Sequence, residues 1–222
     1  TCPDLPGDTR LDTAAPGDRT RRSPARFEVT AALMKKMAYR ENPEAMLAVM
    51  RQREWTTDDL LGPGAMKKGL WLVAVGTEKP GNLGAMMRSA EAAGAAGVLV
   101  ADAPVDAYNP NAIHASTGAV FTLPVLGMAS ADLIALLRER EIRIVAAAPL
   151  AKARYTEVDM TGPTALVIGP EDTGLDQAWL DAARGDAGVA VAIPMLGQSV
   201  DSLNASNAAA ILLFEAVRQR QA

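Results

Sequence analysis

The chain has 222 residues, about half of them apolar and few aromatic, enough for one α/β domain of ordinary size and a smaller appendage. Its formal net charge of −4 is unevenly spread: residues 1–70 carry 12 Lys+Arg against 10 Asp+Glu, and the remainder carry 10 against 16. One cysteine, Cys2, and one histidine, His114, exclude an internal disulfide and a Cys/His metal centre, while net acidity bears on steering and does not exclude RNA.

Residues 1–26 are rich in Pro, Asp, Arg, Gly and Thr, without apolar periodicity, and are expected to be a mobile leader. The cluster Arg19, Arg21, Arg22 and Arg26 reads as solvated charge, with a phosphate contact as the alternative. No apolar signal segment and no membrane-length apolar run is present. With a lone cysteine this predicts a reducing, cytoplasmic setting, no membrane and no metal. From Phe27 to Arg40, Val29, Leu33, Met34 and Met37 recur at helical spacing. Asn42-Pro43 breaks the pattern, Ala45 to Met50 is a short apolar run, and Trp55 to Leu61 adds a turn before Gly62-Pro63-Gly64. Residues 27–66 are few for a core of their own, and are expected to be a fragment of a larger module or a layer packed on the main domain.

Beyond Gly69 the pattern alternates. Strands are predicted over 69–75, 97–100, 122–125, 143–147, 165–168 and 189–193, and helices over 83–93, 110–117, 131–140, 176–183 and 204–220. Short apolar strands alternating with helices predict an α/β fold with a mainly parallel sheet and helices on both faces.

Three segments carry chemistry. In Lys79-Pro-Gly-Asn-Leu-Gly-Ala-Met-Met-Arg88, Pro80 and Gly81 are expected to build a turn, and Gly84 to let the backbone approach a ligand. Arg88, six residues past Asn82, is expected on the same side as that asparagine. A G-x-G-x-x-G dinucleotide fingerprint is absent. In Leu166-Val-Ile-Gly-Pro-Glu-Asp-Thr-Gly-Leu175, Glu171 and Asp172 follow a strand, where open α/β sheets place ligands. In Ile193-Pro-Met-Leu-Gly-Gln-Ser-Val-Asp-Ser-Leu-Asn204, a strand end leads through Ser202 and Asn204, both good caps, into a helix. Each segment alone also reads as turn and cap chemistry.

Together, in this order and spacing, they resemble the three motifs of the SpoU-type branch of the SPOUT RNA 2′-O-methyltransferases: Pro-x-Asn-x-Gly-x-x-x-Arg, Gly-x-Glu-x-x-Gly-Leu and Ile-Pro-Met…Ser-Leu-Asn. The resemblance covers residues 69–222, and Tyr108 to Gly118 is similar to the family's segment between the first two motifs. Three departures stand out. Asp172 replaces a common glycine, the spacer from Gly197 to Ser202 is one residue longer, and His114 stands where a basic residue is frequent.

The resemblance implies a deep C-terminal trefoil knot, contrary to the general rule, an S-adenosylmethionine cofactor and a homodimer. It implies cofactor contacts from Ala147, Ala148, Gly169, Pro170, Glu171, Ile193, Met195, Ser202 and Leu203. Arg88 would be catalytic, oriented with the ribose by Asn82, Glu171, Ser202 and Asn204. Its partner would be RNA, ribosomal RNA favoured over transfer RNA, met by Arg88, His114 and Ser116. Residues 27–66 resemble the end of the small RNA-binding domain that often precedes this catalytic domain, a partial α/β extension with Lys35, Lys36 and Arg40 as contacts. Two rivals remain: a non-catalytic RNA-binding relative, and a nucleotide-dependent oxidoreductase on similar layering.

Overall fold

The computed structural model describes residues 25–39, 42–67, 69–185, 188–197, 199 and 202–221, and the chain divides after Arg51 into two units. In the first, helix α1 (Ala31–Met37) begins at Thr30, whose hydroxyl oxygen accepts from Leu33 N at 3.3 Å. None of the α1 residues is buried. Among the described residues of this unit there is no strand, so the expected α/β extension is helix and irregular chain only. The described residues of this unit supply no second layer to cover an apolar face. Arg40 and residues 1–24 lie outside the described residues.

In the second unit the elements in chain order are α2 (Thr57–Leu61), α3 (Pro63–Met66), β1 (Leu70–Val75), α4 (Pro80–Ala92), β2 (Gly97–Ala101), α5 (Pro110–Ser116), β3 (Val125–Met128), α6 (Ser130–Glu139), β4 (Arg143–Ala147), β5 (Ala153–Arg154), β6 (Thr164–Ile168), α7 (Gln177–Ala182), β7 (Gly188–Ala192) and α8 (Ala205–Gln221). The strands form one seven-stranded sheet in the order β3-β2-β1-β6-β4-β7-β5, every pairing parallel. Strict alternation sorts the strand residues between two cores. Leu70, Leu72 and Ala74 of β1, with Leu166 and Ile168 of β6, pack under α4, α5 and α8. Trp71, Val73 and Val75, with Ala165 and Val167, pack under α2, α6 and α7. Burial of both faces explains why β1 and β6 read as unbroken apolar runs.

Four sequence expectations are corrected. Residues 52–66 belong to this unit and not to the N-terminal one: Leu60 is fully buried, and Leu60 O accepts from Trp71 Nε1 at 2.6 Å. The strand expected at 122–125 starts at Val125, because Pro124 has no N–H for the ladder; its carbonyl still accepts from Val98 N. Pro80 is not in a turn but at the first position of α4, where its fixed φ suits a helix start. Gly84 faces a helix rather than a ligand: a Cβ there would lie 2.4 Å from Ala112 O and 2.6 Å from Ala115 Cβ. The two-residue β5 has too little pattern to be read from sequence.

The α4–α5 contact therefore requires a glycine. Gly84→Ala is expected to lower the unfolding free energy by about 1–3 kcal/mol, the usual cost of overpacking, measured as a lower urea midpoint at unchanged slope. An unchanged midpoint would mean that α5 shifts freely.

Candidate active site

The chain leaves β1 towards one face of the sheet through α4, and leaves the adjacent β6 towards the other face through α7. Two neighbouring strands whose connections diverge open a crevice at their carboxyl ends, where ligands bind in open α/β sheets. The observed cleft lies there, about 310 Å³ in volume, between the loop from Gly76 to Lys79 with Asn82 and the loop from Gly169 to Asp172, with Ala205 behind them.

Glu171 organises the cleft. Its Oε1 accepts from Asn82 Nδ2 at 2.9 Å, from Ala205 N at 3.1 Å and, in a very short contact, from Asn204 Nδ2. Its Oε2 accepts from Lys79 Nζ at 2.8 Å. Asn204 Nδ2 also donates to Asn82 Oδ1 at 3.1 Å, while Asn204 Oδ1 accepts from Ser206 N at 2.9 Å and Ser206 Oγ at 2.6 Å. Asn204 thus caps α8, and Glu171 places negative charge at the same helix end, where the macrodipole favours it. Segments 89 and 122 residues apart from Asn82 meet in this cluster.

The Lys79 ammonium, the Ala205 N–H and the Asn82 amide hold the Glu171 carboxyl below its ordinary value, against a smaller opposing effect of burial. Bonding to Glu171 in turn raises Lys79. A carboxyl depressed in the folded state stabilises above its unfolded value, 4.5, and loses that contribution as pH falls through the lower folded one. The Tm gap between wild type and Glu171→Gln is therefore expected to be full and constant above pH 4.5 and to close as pH falls below it. A gap independent of pH would show that the charge is irrelevant.

The carboxyl ends of β6, β4 and β7 are adjacent, so Gly169, Ala147 with Ala148, and Ile193 follow neighbouring strands at one edge. Ala148 N donates to Val191 O at 2.9 Å, tying the β4 exit to β7. Pro170 abuts Gly76: a Cβ on that glycine, at φ +56°, would meet the proline ring at 3.0 Å. Gly169 is packed as closely, since a Cβ there would lie 2.7 Å from Gly174 C and Leu175 N. The cleft and the trio of loops thus share the β6 exit as a common wall.

Of the residues singled out from sequence, Asn82, Glu171 and Asn204 come together, and Ser202 and Leu203 lead directly into that cluster. Ala147, at the end of β4, and Ala148, Ile193 and Met195, on the neighbouring loops, do not line the cleft. Arg88 is exposed, lies outside the cleft, and makes no hydrogen bond or ion pair among the described residues. The expectation that it shares a side with Asn82 is corrected, because six helical residues at about 100° each leave the two roughly 120° apart. His114 is exposed on α5; Ser116, expected to meet RNA, is fully buried and donates to Ile113 O at 2.8 Å. Lys35 and Lys36 are exposed at the end of α1. Of the Gly197–Ser202 spacer, Gln198, Val200 and Asp201 fall outside the described residues. Sequence reading missed Lys79; the only signal was a basic residue heading the first motif while an acidic pair sits in the second.

The chain belongs to the SpoU rRNA Methylase family, whose model matches residues 69–214. It is 37% identical over 188 residues to the 23S rRNA (uridine(2479)-2′-O)-methyltransferase of Streptomyces viridochromogenes, covering 81% of this chain and 62% of that protein. It thus spans about three fifths of the length of the curated relatives it matches. Among solved structures it resembles an RNA 2′-O ribose methyltransferase at 42% identity and TM-score 0.68, over 88% of this chain and 72% of the other. It also resembles the SpoU methyltransferase AviRb from Streptomyces viridochromogenes in complex with AdoMet, at 31% identity and TM-score 0.78, over 91% and 76%. Among the described residues no helix is long and apolar enough to cross a membrane, and no group of three or more His, Cys, Asp or Glu is placed to hold a metal ion.

Proposed function

We propose that the protein transfers a methyl group from S-adenosylmethionine to a ribose 2′-hydroxyl of structured RNA, ribosomal rather than transfer RNA. The observation that carries this reading is the hydrogen-bonded cluster of Asn82, Glu171 and Asn204, built from three separate segments beside the loops that follow β6, β4 and β7. Relatives named as 23S rRNA 2′-O-methyltransferases and a neighbour in complex with AdoMet support it.

The loops fit such a cofactor by their chemistry. Ala147, Ala148 and Gly169 leave main-chain groups approachable, Ile193 and Met195 offer half-buried apolar surface, and Leu150 and Leu196 are 97% and 96% exposed beside them. Pro170, Ser202 and Leu203 would complete the set. Bound there, S-adenosylmethionine supplies a methyl group activated by a positively charged sulfur. The protein must orient the ribose hydroxyl for in-line attack, a task we give to Asn82, Glu171, Ser202 and Asn204. A guanidinium has five donors and no acceptor, so Arg88 is no base. We assign it to clamping the adjoining phosphate and the developing alkoxide, while that phosphate or a water takes the proton.

The same reading includes threading of the segment after β7 into a trefoil knot, and a homodimer. The half-exposed Phe214 of α8 and the exposed Leu150 and Leu196 support the homodimer. It gives Lys35, Lys36, Arg40 and His114 to RNA contact, and the cytoplasm as the place of action. Incubation with S-adenosylmethionine labelled on its methyl group is expected to place alkali-resistant 2′-O-methyl label on unmodified 23S ribosomal RNA and not on transfer RNA. Label on neither, or thermal stabilisation by NAD in place of S-adenosylmethionine, overturns it.

A further inference from the structure

The cleft has an electrostatic difficulty as a site for RNA. Glu78, Glu171 and Asp172 line it, and Lys79 is the one Lys or Arg among its described lining residues. A polyanion entering here is repelled unless that single ammonium meets it. Lys79 stands at the N-cap position of α4, where its side chain makes no capping bond. Its side chain is 71% exposed, and its only ion pair among the described residues is with Glu171 Oε2. An ammonium has three donors, so further donors are left for a ligand at the cleft mouth.

The carboxylate does not depend on this lysine for its position. Asn82, Asn204 and Ala205 N all donate to the other oxygen, Oε1. An ion pair this exposed is held only weakly, so the ammonium can change partners while the cluster behind it stays assembled.

Resting on the methyltransferase reading, we propose that Lys79 is an RNA-binding residue of the active cleft. As RNA enters, its ammonium leaves Glu171 Oε2 for a non-bridging oxygen of a phosphate next to the reacting ribose. The phosphate then replaces the carboxylate as partner of the one positive charge, and strand entry meets attraction at a mouth otherwise lined by carboxylates. Arg88, which does not line the cleft, keeps the role given to it above, on the alkoxide and the phosphate beside it, so the two cations meet different oxygens.

The test compares wild type with Lys79→Ala, Lys79→Arg and, as a control of equal charge change, Lys67→Ala, which lies just ahead of the amino end of β1. Binding of unmodified 23S ribosomal RNA is measured over a range of KCl concentrations, alongside steady-state methyl transfer. For Lys79→Ala, Kd and KM for RNA are expected to rise about tenfold, with kcat within about twofold. The slope of log K against log salt should shrink by about 0.7–0.9, the loss of one phosphate contact. Lys79→Arg is expected to restore most of the binding, and Lys67→Ala to behave as wild type. Wild-type slope and KM in Lys79→Ala, or a fall in kcat at unchanged KM, overturns the assignment; the latter would mean that the lysine acts through Glu171. Failure of wild type itself to bind and methylate the RNA marks the failure of the methyltransferase reading, and the assignment falls with it.

Discussion

Glu171→Ala is expected to lower kcat/KM for RNA methylation by about 100-fold. Removing the carboxylate takes the shared acceptor from four donors: Lys79 Nζ, Asn82 Nδ2, Asn204 Nδ2 and Ala205 N. Of these Ala205 is buried, where a donor left without an acceptor costs about 1–3 kcal/mol, and the amides of Asn82 and Asn204 then have no carboxylate to hold them towards a ribose. Glu171→Gln should fall between the two, because the three donors on Oε1 can keep an acceptor while Lys79 loses its counter-charge. Steady-state kinetics on both variants decide this. Equal and full activity in Glu171→Ala would make the cluster a scaffold for α8 and nothing more.

Arg88→Ala is expected to reduce methyl transfer by about 1,000-fold or more, the scale on which arginines that neutralise developing charge act. Affinity for S-adenosylmethionine should stay within a few-fold, since Arg88 is assigned to the RNA and not to the cofactor. The fold should tolerate the change: Arg88 is exposed and bonds to nothing among the described residues, and such positions usually move stability by no more than about 0.5 kcal/mol. Lysine should not substitute, because it lacks the planar two-pronged donor set. Single-turnover transfer with saturating cofactor, together with calorimetric cofactor binding, separates these effects. Normal turnover by Arg88→Ala would remove the residue from the mechanism.

The sheet was legible because buried parallel strands leave apolar runs bounded by glycine and proline; the strand over 143–147 matches to the residue. Its order was not. Nothing local in Thr164–Ile168 says that it lies between Leu70–Val75 and Arg143–Ala147, since that depends on which edges remain open when the chain returns. The site was partly legible. Asn82, Glu171 and Asn204 were found because the motif order resembled a family, whereas their mutual hydrogen bonds are long-range facts. Helix phase separates Arg88 from Asn82 although six residues look close to two turns. Composition misled at Ser116 and Gly84: a small residue near a motif reads as ligand chemistry until the neighbouring helix is known to fill the space. Residues 52–66 pack with Trp71 across a glycine-proline break that usually marks a boundary, so local pattern alone joins them to the preceding segment.

The insertion of β6 between β1 and β4 dictates an order of assembly. During synthesis β1, β2 and β3 can pair from neighbouring sequence, but the free edge of β1 must wait for a strand made some ninety residues later. Until then an apolar edge stands open, a template for wrong partners, and loop closure over that span is slow. Refolding from urea should accordingly run slower than for helical proteins of equal size, and yield should fall as protein concentration rises. The strand that brings Glu171 to the cleft is thus also the one that closes the sheet, so a chain stalled before that step has neither a sealed core nor a working site.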